Sequence, residues 1–125
     1  MINGVDATQY GCSYETDDAH YVKIGNVLYF SVYMKVIIPA NKTFPSGHSL
    51  HLYLPQNHTP QNASTSINIG LATPSRFNIK SGIRHGANKT VTLYDESGNS
   101  ASIKDNTTSS STYGYITANG WYLVQ

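Results

Sequence analysis

From Val27 to Ile38 apolar side chains fall at every second position, with Leu28, Phe30, Val32, Met34, Val36 and Ile38 in phase. A period of two predicts a β-strand with one face buried. The intervening positions, Val27, Tyr29, Ser31, Tyr33, Lys35 and Ile37, are too apolar for a simply wetted face, so that side is expected to meet a second sheet or another subunit. Just upstream, the run 20–24 ends at Gly25-Asn26, a pair suited to a tight turn, and the two runs together predict a hairpin.

Further alternation follows. Leu50, Leu52 and Leu54 are in phase over 49–54, as are Ile67, Ile69 and Leu71 over 66–71. The runs 90–94 and 100–104 flank Asp95-Glu96-Ser97-Gly98-Asn99 and predict a hairpin with a five-residue loop, and 76–83 is expected to supply another strand. Pro39, Phe44-Pro45-Ser46-Gly47 and the polar block 55–66 read as loops, because they favour turns or lack a ladder donor. After the Ser/Thr-rich stretch 106–112, the runs 113–118 and 121–124 surround Asn119-Gly120 and predict a closing hairpin. No segment carries the i, i+3, i+4, i+7 spacing of an amphipathic helix. Eight to ten short strands with turns every 8 to 12 residues predict an all-β fold, an antiparallel β-sandwich or jelly-roll-like domain.

The length of 125 residues suits one domain spanning 1–125, with 1–10 expected to act as a linker or upstream connection. Ten Tyr, three Phe and one Trp bring enough buried area for a core although only 39% of residues are hydrophobic. With 12% charged residues and a net charge of +1, no basic field gathers phosphates, so nucleic acid is not expected as a partner. No run approaches the ~18 apolar residues of a membrane span, and 1–10 shows no leader pattern, so membrane insertion is not expected. Cys12 is the only cysteine, which excludes an internal disulfide. Asn-x-Ser/Thr triplets at Asn41, Asn57, Asn62, Asn88 and Asn106 acquire meaning only in a glycosylating pathway.

His48, His51, His58 and His85 suggest a metal site, but residues three apart on a strand point to opposite faces, so no metal is expected. His48 and His58, in polar loops, suit hydrogen bonding to a ligand instead. Asp17-Asp18 and Asp95-Glu96 are adjacent pairs, which diverge on a strand and suit turns better than a catalytic dyad. No nucleophile elbow, phosphate loop or dinucleotide fingerprint is present. The chain is therefore expected to be no enzyme and to need no cofactor.

The stretch Tyr21-Val22-Lys23-Ile24-Gly25-Asn26-Val27-Leu28-Tyr29-Phe30-Ser31 resembles a hairpin of C-terminal head domains in phage tail fibres and baseplate receptor-binding proteins. The closing Gly120-Trp121-Tyr122-Leu123-Val124 is similar to the way those domains end. Together the two cover about a quarter of the chain, and the middle, 44–90, matches no pattern of this kind. The resemblance implies a trimeric β-sandwich head at a virion's tail tip or baseplate. It further implies binding of host cell-wall or capsular polysaccharide, particularly for phages of Gram-positive bacteria. Sugar rings stack on aromatic faces while their hydroxyls bond to amides, carboxylates and basic groups. The candidate contacts are accordingly Tyr53, Tyr113 and Trp121 as platforms, with His58, Asn62, Arg84 and His85 as polar partners; Tyr94, Arg76 and Asn57 are of the same types. Alternatives are a virion decoration or baseplate protein that binds another phage protein, a saccharide-cleaving tail domain, and a cellular adhesin.

Overall fold

The computed structural model describes residues 2, 4, 6–72 and 76–125, without the side chains at 16, 17, 71 and 72. It is an all-β fold. Its strands are β1 (Ser13–Ile24), β2 (Val27–Ile38), β3 (His51–Tyr53), β4 (Thr65–Ala72), β5 (Ser81–Arg84), β6 (Thr90–Tyr94) and β7 (Thr112–Leu123). The described residues contain no α-helix, only a 3-10 turn at Ala7–Tyr10. The strands form one antiparallel sheet in the order β1-β2-β7-β4-β5-β6-β3.

That sheet curls into two layers at β4. Residues 65–67 of β4 pair with β5, whereas Asn68, Ile69 and Ala72 pair with β7, with an irregularity in register between 69 and 72. Side chains alternate along each strand, so the inner faces of both layers share one core. β2 and β7 contribute Leu28, Phe30, Val36, Ile38, Ile116, Ala118 and Tyr122, while Leu52, Ile67, Val91 and Leu93 come from the other layer.

Three of the seven strands are 12 residues long, so the fold uses fewer and longer strands than the turn spacing predicts. The hairpin at Gly25-Asn26 is present and joins β1 to β2 in continuous register up to Ile24↔Val27. Gly25 has φ +59°, and only this first position of the turn takes a positive value, the arrangement of a type II′ turn. β1 starts at Ser13, well before the expected position 20, and an irregularity between Tyr14 and Thr16 lets Glu15 reach Lys35 at 2.9 Å.

The closing hairpin does not exist. β7 runs straight through Asn119-Gly120 and pairs with β2 along its whole length, from Val27↔Leu123 to Ile38↔Thr112. Gly120 serves packing here: a Cβ on it would lie 3.3 Å from Ile67 and 3.6 Å from Phe30. The run 76–83 yields only the short β5 and a single bridge at Phe77, and 100–104 is held by bridges and not by a strand. In the N-terminal stretch Ile2 and Ala7 are core residues, and Ile2 bridges Leu50.

Candidate functional site

A polar cleft of about 610 Å³ lies where three loops meet. The 44–48 turn forms one side, Asn78 another, and the segment from Asp95 to Asp105 the third. These segments are far apart in the chain, and side-chain to backbone bonds pin them together. Asp105 accepts from the Phe44 N–H at 2.9 Å, and Asn78 accepts from the Ser102 N–H at 2.6 Å. Asp95 caps its own turn by accepting from the Ser97 and Asn99 N–H groups, both at 2.9 Å, with Gly98 in the left-handed region.

His48 closes the base of the cleft and is spoken for. Its Nε2 accepts from the Ile103 N–H at 2.9 Å, which fixes the neutral form with the proton on Nδ1 facing the Pro45 carbonyl at 2.7 Å. Its expected role as a free ligand contact is therefore corrected, because it is a buried brace.

Each anchor leaves one end of its side chain over. Within the described residues, one oxygen each of Asp95 and Asp105, the Asn78 amide nitrogen, the whole Asn99 amide and the hydroxyls of Ser46, Ser100 and Ser102 have no protein partner. The cleft thus offers acceptors and donors in a shallow array beside the Phe44 ring. An adjoining hollow of about 510 Å³ shares Asn78 and Asp95 and adds Lys80 and Glu96.

None of the seven residues singled out from the sequence lines this cleft. Tyr53 lies at the open side of the sandwich, where two apolar hollows of about 260 and 200 Å³ share it with Ala19 and Val32. His58 sits near the first of these through an edge contact with Tyr21, whose hydroxyl is held by the Asn57 amide at 3.1 Å. His51 borders the second, and burial pushes its imidazole pKa down.

Asn62, Arg84 and His85 gather in a different place. Arg84 is 1% exposed and is not available to a ligand. Its guanidinium donates to the carbonyls of Ala63 at 2.5 Å and Gly86, and to the Thr65 hydroxyl at 3.1 Å, while lying 5.0 Å over the Tyr122 ring. His85 is half-buried and bonded to the Tyr94 hydroxyl at 2.7 Å. Asn62 is exposed, with its carboxamide oxygen beside Gly86.

Tyr113 and Trp121 stand on the outer face of the long-stranded layer, 50% and 54% exposed. Trp121 pairs across the ladder with Tyr29 and Tyr113 with Ile37, while Lys35 sits 4.3 Å over the Tyr113 ring. The predicted platforms and polar partners are therefore spread over three regions and do not converge.

Of the carboxylate pairs, Asp95 enters the cleft and Glu96 its neighbour, whereas the side chain of Asp17 lies outside the described residues. Among the described residues no group of three or more His, Cys, Asp or Glu is placed to hold a metal ion. Cys12 is buried, and burial pushes its thiol pKa up, away from the thiolate needed for reactivity. No helix among the described residues is long and apolar enough to cross a membrane. No family model, curated protein or solved structure matches the chain.

Proposed function

We propose that this chain is a non-catalytic saccharide-recognition domain whose ligand lies in the polar cleft between the 44–48 turn, Asn78 and the 95–105 segment. One observation carries the reading: in the cleft Asp95, Asp105 and Asn78 each fix one end of the side chain on backbone N–H groups and keep the other unbonded among the described residues, beside the Asn99 amide and the hydroxyls of Ser46, Ser100 and Ser102. Polar groups held in advance lose little entropy when a ligand's hydroxyls take them up. The cleft volume is in the range of small-ligand sites, enough for one or two sugar rings.

The biological setting rests on the hairpin 21–31 and the closing strand, which resemble phage receptor-binding heads. On that basis the domain serves adsorption to host-cell polysaccharide at a tail tip or baseplate, as a homotrimer in which several weak sites act together. Binding of purified wall or capsular polysaccharide tests it. Asn99→Ala combined with Ser100→Ala removes side chains that brace nothing, so binding should weaken about tenfold while the thermal midpoint holds. Trp121→Ala, on the opposite layer, should leave monovalent affinity unchanged. Undiminished binding by the double variant would move the site elsewhere, and a blank against every glycan would favour a structural virion protein that binds another phage protein.

A second reading has its own observation. Asp95 and Asp105 line one cleft, and a saccharide-cleaving domain needs two carboxylates about 5 to 9.5 Å apart across such a groove. Shortening of the polymer during incubation, abolished by Asp105→Asn, would establish it in place of simple binding.

A further inference from the structure

We infer that the cleft is selective for uncharged saccharide and excludes polymers carrying phosphate or carboxylate on the bound residues. The inference rests on the saccharide reading above and narrows its ligand by charge. Two carboxylates line the cleft, and each uses one oxygen on backbone N–H groups, leaving the second without a partner among the described residues.

No lysine or arginine is among its described lining residues. The only basic side chain there, His48, is held neutral by the Ile103 N–H and contributes no charge. The adjoining hollow adds Lys80 and Glu96, so the described lining residues of the two together carry three carboxylates against one ammonium. The remaining groups are amides and hydroxyls, which bond equally well to sugar hydroxyls and N-acetyl groups.

A carboxylate oxygen accepts readily from a hydroxyl, and charge makes that bond roughly twice as strong as a neutral one. Brought against a phosphate or uronate, the same oxygen meets like charge, with no lysine or arginine among the described residues lining the cleft to offset it. Like charges near 5 Å at a protein surface repel strongly enough to lower affinity tenfold or more at low salt. The expected ligand is thus a neutral hexose or N-acetylhexosamine segment, held by its hydroxyls.

The test compares the intact protein with the Asp95→Asn/Asp105→Asn variant, in which each amide oxygen still accepts from the same backbone N–H groups. Ligands are a neutral glucan, an N-acetylglucosamine polymer, a glycerol-phosphate polymer and a polyuronate, at low and at physiological salt. The intact protein should bind one or both neutral polymers and bind the anionic ones at least tenfold more weakly, with the gap closing as salt rises. The variant should lose affinity for the neutral ligand and gain it for the anionic polymers. Equal or tighter binding of an anionic polymer by the intact protein overturns the charge selectivity while leaving saccharide recognition standing. Failure to bind any of the four, with the fold intact by circular dichroism, removes the saccharide reading and this inference together.

Discussion

A guanidinium buried without a carboxylate must find its compensation elsewhere, and Arg84 finds it in main-chain oxygens. Its donors hold the carbonyls of Ala63 and Gly86 and the Thr65 hydroxyl, tying the 61–65 segment to the turn after β5. Burial drags its pKa down and the Tyr122 ring beneath works the other way, but an arginine stays charged throughout. Among the described residues its Nε and the Tyr122 hydroxyl have no partner, so the knot is tight but incompletely satisfied. Arg84→Met keeps much of the volume and strands the part-buried carbonyls of Ala63 and Gly86. It is expected to lower the unfolding free energy by about 3 kcal/mol, read from urea denaturation, with a corresponding fall in thermal midpoint. A loss below about 0.5 kcal/mol would mean that those carbonyls find water instead. Nothing in the sequence marks this role: β5 is four residues long, too short for its phase to show that Arg84 faces inward with Gly82. The cleft was hidden for a related reason. Asp95 and Asn99 read as turn residues, and they are, but a turn reading says nothing of which distant loop faces them across space.

At the scale of elements, alternation marks the long strand β2, while turn dipeptides hold at Gly25-Asn26 and fail at Asn119-Gly120. The inward phase of β2 is the one its pattern predicts, and the type of the β1-β2 turn follows from Gly25. Asn119-Gly120 carries an equally strong turn signal, yet the twelve-residue partner β2 holds the chain extended through it. Small residues on the inner face of β7 are there for neighbours: Gly120 makes room for Phe30 and Ile67, and Gly114 lies against the ring of Phe77. A Cβ at Gly114 would enter the Phe77 ring, which is core-buried and cannot swing into solvent. Gly114→Ala is therefore expected to destabilise by about 2 kcal/mol, whereas strand propensity alone predicts a small gain from replacing Gly by Ala. Combining it with Phe77→Leu should recover part of the loss, and a double-mutant cycle in chemical denaturation measures that coupling. Additive effects would show that the two residues do not compete for the same space.

For the molecule as a whole, the outstanding feature is the bare outer face of β1, β2 and β7. The sequence shows that the second face of β2 is too apolar for water; the fold shows that no part of the described chain covers it. Val22, Ile24, Tyr29, Tyr33, Tyr113, Trp121 and Leu123, seven of the nine exposed large hydrophobic residues among those described, project from this layer on one side. At roughly 100 Å² for each half-exposed side chain, the seven supply roughly 700 Å², close to the ~800 Å² per partner of an ordinary specific interface. The centre of the face is polar, with His20, Ser31 and Asn119 between the two apolar ends, and Lys35 is matched by Glu15 at one end. A second copy is the occupant that fits the proposed homotrimer, because several linked clefts would raise the grip on a repetitive glycan. Sedimentation at micromolar concentration should then give a trimer for the intact chain and a folded monomer for Tyr29→Lys/Trp121→Glu, whose changes lie directly opposite each other on the ladder. The monomer should keep its affinity for a short oligosaccharide and lose at least tenfold in binding to whole polysaccharide, since only the linkage between sites has gone. An intact chain that sediments as a monomer would remove copies of itself as the cover for this face, and equal loss of both binding modes in the variant would show that the aromatic layer touches the sugar.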